Sequence, residues 1–311
     1  MSADARRATR VRAFAKINQS LRVLGLRPDG YHDLRTTFQT IALHDTLTFT
    51  EAPGMFDIQC HEPGCPADRT NLVWRAAELM WRASGRRGRP VGLKVSLDKR
   101  IPMQAGLGGG SSDAAAALRA LNAIWRVEVA ETELLSLAAT IGADVPFFLV
   151  GGRVLGLERG DVLFPLEEPP AAWVVLALPD FGVSTKDAYG WFDHSSAQNR
   201  PTAASRSGRT AIGGRRSRRT ALRPREEGVN ELQGAVAARH PEIDRLVRGL
   251  QEQGARCAAM SGSGSAVFGL FEARALAESA AAAVASAGYR VVVTKTLSRR
   301  RHRSLAWPRN S

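Results

Sequence analysis

Apolar and polar residues alternate through much of residues 11–23, as in a half-buried strand pair, and the alternation puts Lys16 and Asn18 on one face. Pro28-Asp29-Gly30 signals a turn, and residues 46–50 and 91–97 resume the strand period. Over residues 71–84 the period changes: Leu72, Val73, Ala76, Leu79 and Met80 recur at helical spacing, which predicts an amphipathic helix. Residues 111–125 and 131–141 predict two more helices, the second stopped by Gly142. The apolar run 147–150 reads as strand-like, 153–166 as a hairpin around Arg159-Gly160-Asp161, and 173–178 as a buried strand.

Residues 195–228 break the pattern. Rich in Ser, Ala, Thr, Gly and Arg and nearly devoid of large apolar side chains, they cannot offset the entropy of their own ordering and are expected to be a mobile surface insertion. Helices are predicted over 229–239 and 242–253. A strand over 256–260 then enters a glycine loop, Ser261-Gly262-Ser263-Gly264-Ser265, followed by a strand over 266–271, a helix over 273–287 and a strand over 289–296. This order points to a compact α+β sandwich. The tail after Ser298 is expected to be disordered.

A chain of 311 residues fits two domains, at roughly 100–200 residues each. No apolar run reaches the roughly 18 residues of a membrane span, and residues 1–12 lack the apolar stretch of a signal peptide, so a soluble cytoplasmic protein is expected. Cys60, Cys65 and Cys257 are odd in number without Cys-x-x-Cys spacing, which argues against a disulfide framework, and no fourth ligand joins Cys60, His61 and Cys65. The net charge of +13 is unevenly placed: residues 200–225 hold nine arginines and residues 291–311 six Lys or Arg, both without an acid. The remainder is close to neutral, which weakens a nucleic-acid reading of the charge.

The strongest chemical signal lies in residues 98–120. A strand runs to Ile101 and Pro102, four of the next eight residues are glycine (Gly106, Gly108, Gly109, Gly110), and Ser111, Ser112 and Asp113 open an alanine-rich helix. Glycines that bring backbone amides together before a helix N-terminus make a phosphate cradle. It is not a Walker loop, since no lysine follows Gly110, and Pro102 to Ala105 intervene where a dinucleotide loop turns tightly out of a buried strand. Asp144, just past the 131–141 helix and before an apolar run, is either a turn residue held by local amides or a carboxylate with a purpose.

Pro102 to Ala116 resembles the central motif of the galactokinase, homoserine kinase, mevalonate kinase and phosphomevalonate kinase (GHMP) superfamily. Ala15-Lys16-Ile17-Asn18, Asp29-Gly30-Tyr31-His32, Asp98 to Met103 and Gly142-Ala143-Asp144-Val145-Pro146 follow the order of the branch acting on a cytidine-diphosphate-linked methylerythritol. The resemblance implies an ATP-binding domain of ribosomal-protein-S5-like topology over 1–165 and a ferredoxin-like α/β sandwich over 166–311, with the site between them. It implies transfer of the γ-phosphoryl group of ATP to the 2-hydroxyl of that small molecule, in the non-mevalonate isoprenoid route, by a monomer or homodimer.

By the same resemblance, Asp144 is the catalytic aspartate and Lys16 its lysine partner. Pro102, Gly106, Leu107, Gly108, Gly109, Gly110, Ser111 and Ser112 hold the ATP phosphates, with Ser111 or Ser112 near Mg2+. Asn71 and Lys99 match positions at the adenosine end. Tyr31 and Tyr189 stack on the cytosine from two sides, His32 bonds its edge, and Asn18 belongs to the substrate side. Three departures stand out: Gln104-Ala105 where relatives often carry glycines, Asn230-Glu231-Leu232-Gln233 in place of Asn-Asp-x-Glu, and the long basic insertion. The rival readings are a homoserine- or mevalonate-type kinase and, from another class, an S5-like RNA binder gripping phosphates with its basic segments.

Overall fold

The computed structural model describes residues 8–198 and 227–306, and most of the basic insertion, 199–226, lies outside them. Strand β1 (Thr9–Leu26) and strand β2 (His32–Met55) form one long antiparallel hairpin. At its tip Gly30 takes φ +81° and the Arg27 amide donates to the Tyr31 carbonyl at 2.7 Å. Residues 11–23 are thus a single strand, because its partner is β2 rather than itself.

Two strands share the other edge of β2. Strand β4 (Val91–Asp98) pairs with its C-terminal half and β5 (Arg153–Glu158) with its N-terminal half. Strand β3 (Asp57–Cys60) runs parallel to β4, and β6 (Val162–Pro165) completes the expected hairpin with β5. Helices α1 (Leu72–Ala83), α2 (Gly109–Ile124) and α3 (Glu131–Ile141) bury their apolar stripes against this sheet, where Val73, Met80, Leu118 and Leu121 share one core with Leu47 and Phe49.

Strand β1 is buried from Ala13 to Leu21 because its middle is covered on both sides. A register shift between Phe14 and Lys16 changes which core the odd positions join: Val11 and Ala13 pack with the helical layer, Ala15 and Ile17 with the second sheet. Between those two pairs β2 advances four residues, from His44 to Thr40, while β1 advances two, so the irregularity lies in β2. Lys16 and Asn18 share one face of β1 by the strand period, and the Lys16 side chain lies beside Gly108 at the N-terminus of α2.

The second sheet is antiparallel in the order β10 (Arg290–Lys295), β7 (Trp173–Leu178), β9 (Val267–Phe271), β8 (Cys257–Met260). Val175, Ala177 and Phe271 face helices α7 (Glu242–Glu252) and α8 (Arg274–Ser286), while Val174, Leu176 and Phe268 face Ala15, Ile17 and Ile41 of the first sheet. Burial on both faces explains the unbroken apolar run of β7.

Several sequence expectations are corrected. Residues 147–150 lie in a short helix, α4 (Val145–Val150), not a strand; Val145 to Leu149 are all buried, so no period reveals the type, and Pro146 suits a first helical turn. Helix α2 begins at Gly109 rather than Ser111, and β4 ends at Asp98 rather than Pro102. Within 229–239 only α6 (Gln233–Ala237) is helical, since Asn230 bridges to Leu21 of β1. Residues 195–198, expected in the insertion, finish helix α5 (Thr185–Gln198).

The tail is also corrected. Residues 299–306 form helix α9 (Arg299–Ala306), whose arginines distract from an inward His302, Leu305 and Ala306 at i, i+3 and i+4. The His302 ring meets Phe14 edge-on at 5.6 Å, and burial, with Arg119 and Arg303 nearby, pushes its pKa down to about 4, so it docks uncharged. Truncation after Ser298 is expected to uncover Phe14 and cost about 2 kcal/mol, lowering Tm by roughly 4–8 °C at about 2–4 °C per kcal/mol. A calorimetric scan with unchanged Tm would return the tail to a disordered one.

Candidate active site

The glycine loop connects β4 to α2 in a form that other residues cannot copy. Gly106 and Gly108 take φ +72° and +73°, and Gly108 is the N-cap of α2. A Cβ on Gly106 would lie 1.9 Å from the Ser261 carbonyl oxygen, and one on Gly108 2.5 Å from the Phe148 ring. Because the helix starts at Gly109, the Gly109 and Gly110 amides lack intrahelical acceptors at its positive end. Pro102, Leu107 and Ser111 line the same cleft. Ser112 is buried and its Oγ donates to the Phe14 carbonyl at 2.7 Å, so of the two serines it is Ser111 whose hydroxyl faces the cleft.

The second glycine loop packs directly on the first. Ser261 Oγ donates to the Gly106 carbonyl at 3.0 Å and accepts from the Asn18 amide at 3.3 Å, and the Ala266 amide donates to the Ala105 carbonyl at 3.2 Å. Asn230 Nδ2 holds the Met260 and Gly262 carbonyls at 2.7 and 2.8 Å. Gly262 and Ser263 line the cleft. The sequence marked this loop by its Ser-Gly alternation without assigning it to the site; two distant segments had to meet first.

Lys16 sits at the junction of both loops. Its ammonium is buried, donates to Asn18 Oδ1 at 2.5 Å, and lies 3.6 Å from Asp144 Oδ2. Asn18 is itself oriented by donating from Nδ2 to Thr36 Oγ1 at 2.7 Å. Asp144 occupies the N-cap of α4 yet makes no side-chain cap bond; its carboxylate, 35% exposed, turns to Lys16 instead. Burial holds the Lys16 ammonium below its ordinary pKa, with Asp144 acting against that shift.

The opposite end of the cleft is aromatic. Tyr31, at the hairpin tip, is mostly exposed with the Arg159 guanidinium 5.4 Å from its ring. His32 and Tyr189 are stacked, centroids 4.7 Å apart at 21°, so His32 covers a face of Tyr189 where an open slot was expected. Burial, and then the charge of Asp144, push the Tyr189 phenol's pKa up and keep it protonated.

Lys99 and Asn71 spend their polar atoms on the scaffold. The Lys99 ammonium is buried between Asp45 and Asp113, the latter at 2.6 Å. Asp45 also accepts from the Arg100 and Ile101 amides at 2.5 and 2.8 Å. Burial, against the pull of Lys99 and with Asp45 adding to it, raises Asp113 to about 7. Asn71 caps α1 through the Val73 amide at 2.9 Å and donates to the Pro66 carbonyl at 2.7 Å. Lys99 still borders the cleft, behind Gly109, whereas Leu72 rather than Asn71 lines it.

The cleft has a volume of about 980 Å³ and joins the glycine loops, Lys16 with Asp144, and the aromatic end in one space. Residues 71–152 match the GHMP kinases N terminal domain and residues 218–290 the GHMP kinases C terminal domain. In fold the chain is also similar to a homoserine kinase from Cytophaga hutchinsonii, with TM-score 0.66 at 18% identity over 96% of this chain and 97% of that one. Fold and loop together thus define a GHMP kinase.

Closer similarity narrows the class. A 4-diphosphocytidyl-2-C-methyl-D-erythritol kinase of Gloeobacter violaceus is 40% identical over 93% of this chain and 95% of its own length, and one of Moorella thermoacetica 38% over 92% and 98%. A crystal structure of a 4-(cytidine 5'-diphospho)-2C-methyl-D-erythritol kinase superposes with TM-score 0.72 at 33% identity, covering 92% of this chain and 98% of that one. The chain belongs to the 4-diphosphocytidyl-2-C-methyl-D-erythritol kinase family.

Replacing Lys99 by Met leaves Asp45 and Asp113 buried together without their cation. Removing one partner of a buried ionic group costs about 3–5 kcal/mol, and the denaturation midpoint is expected to fall accordingly, more steeply at pH 8 than at pH 5, where Asp113 is protonated. A stable Lys99→Met variant with a weakened KM for ATP would instead make Lys99 a nucleotide contact.

Proposed function

We propose that the chain transfers the γ-phosphoryl group of ATP to the 2-hydroxyl of 4-diphosphocytidyl-2-C-methyl-D-erythritol, in the non-mevalonate route to isoprenoid precursors. The observation that carries this reading is the contiguity of the cleft. Phosphate-cradling amides open at one end, an aromatic grip lies at the other, and Lys16 with Asp144 stands between them. The relatives named above support the choice of substrate.

The chain's own groups have distinct jobs in that reaction. The amides at Gly109 and Gly110 and the loop from Gly106 hold the phosphates in place, and much of catalysis in phosphoryl transfer is such positioning and charge stabilisation. Asp144 takes the proton of the 2-hydroxyl as its oxygen bonds to the γ-phosphorus and the bond to the β-γ bridging oxygen breaks, releasing ADP. Lys16 keeps that carboxylate ionised and faces the charge on the attacking oxygen. The Ser111 hydroxyl suits the Mg2+ that accompanies ATP, a divalent ion that neutralises phosphate charge when bound. Tyr31, His32 and Tyr189 hold the cytidine end.

A coupled ADP-release assay with the cytidine-linked substrate, homoserine and mevalonate side by side tests the specificity; preferential turnover of either of the last two overturns it. Asp144→Asn is expected to lower kcat by roughly 10²–10⁴ with little change in Tm, the usual worth of a general base. Near-normal turnover would remove Asp144 from proton transfer. For Lys16→Ala, single-turnover chemistry is expected to slow more than ATP binding weakens, and the opposite pattern would make Lys16 a binding group.

A further inference from the structure

Asp193, on α5, borders the cleft and makes the one hydrogen bond of the His32 ring among the described residues: its Oδ1 lies 2.8 Å from His32 Nε2. A carboxylate only accepts, so Nε2 carries the hydrogen, and in the neutral ring Nδ1 is then a bare acceptor. The ring has little freedom to exchange its nitrogens. The side chain is 9% exposed and stacked on Tyr189, and turning it over would part Nε2 from Asp193.

We propose that Asp193 is a positioning residue that fixes His32 in its Nε2–H tautomer and thereby makes the site choose cytosine over uracil; this rests on reading the aromatic end as the cytidine grip. The two pyrimidines differ at the 4-position, where cytosine carries an amine that donates and uracil a carbonyl that accepts. A bare Nδ1 accepts from the amine and opposes the carbonyl lone pair to lone pair. Sites built around a hydrogen bond reject the mismatched partner strongly because buried polar groups are left unpaired. Stacking on Tyr31 or Tyr189 supplies no such choice, since every base offers a π-face. A histidine free to change tautomer would offer N–H to uracil, and the Asp193 carboxylate removes that option.

Two measurements test the inference. In the first, kcat/KM is compared for cytidine- and uridine-linked forms of the substrate. The wild type is expected to prefer the cytidine form, Asp193→Asn to reduce the preference at least about tenfold, in line with loss of one hydrogen-bond preference of about 1.5 kcal/mol, and Asp193→Glu to restore part of it. The ratio is taken within each variant, so partial loss of folded enzyme cancels. An unchanged ratio in Asp193→Asn overturns the proposal. In the second, ¹⁵N NMR of the free, imidazole-labelled protein at pH 8, with His32 assigned by subtracting His32→Gln from a chain of six histidines, is expected to give the Nε2–H tautomer alone, and a mixture in Asp193→Asn. A mixture in the wild type, or an unaltered Nε2–H signal in the variant, overturns it. The NMR result needs no substrate, so it judges the Asp193–His32 contact even if the wild type fails to use the cytidine-linked compound, the outcome that overturns the kinase assignment and with it the cytosine choice.

Discussion

The ammonium of Lys16 is the charge around which the site is built. It is buried at the junction of the two glycine loops with one amide oxygen at 2.5 Å and one carboxylate at 3.6 Å as partners. A desolvated charge is tolerable only when its partners are in place. Each partner is positioned by a separate device: the strand period of β1 puts Lys16 and Asn18 on the same side, Thr36 on β2 sets the Asn18 amide, and the turn from α3 into α4 delivers Asp144. The two glycine loops close over the same point because neither Gly106 nor Gly108 carries a Cβ.

The second buried lysine makes a useful contrast. Lys99 lies between two buried carboxylates, Asp45 and Asp113, and donates to both. That cluster pins the start of α2 to the end of β4 and to β2. Lys16 has one carboxylate, and that carboxylate is a third exposed and borders the cleft. Two residues of one type thus differ in the accessibility of their acidic partners: those of Lys99 are buried, and that of Lys16 opens onto the cleft. An engaged ammonium fixes structure, while one whose counter-ion meets solvent remains available to a developing charge.

Much of the site was legible because the requirements are local. The helix-opening glycine loop declares itself by residue type, since only glycine meets its backbone demands, and Lys16 with Asn18 follows from strand period. Other elements were not legible. Residues 145–149 are all buried, so helix and strand give the same apolar run. Helix α9 reads as a charged tail because its buried face amounts to His302, Leu305 and Ala306, whose value lies in Phe14 nearly three hundred residues away in sequence.

By itself the sequence determined a glycine loop suited to phosphate, recognisable from its own neighbours, and its resemblance to the GHMP kinases pointed to a lysine, an aspartate and an aromatic pair. The tertiary structure alone decided their relations. It brought the Ser-Gly loop at 261–265 against the first loop, assigned Ser112 to the Phe14 carbonyl and left Ser111 in the cleft, committed Lys99 to Asp45 and Asp113, and set Asp193 beside His32. The reason is physical. Residue type and local period express what a segment is able to do, but hydrogen bonds and ion pairs are satisfied only by partners at contact distance, and those partners come from segments whose proximity no local pattern records.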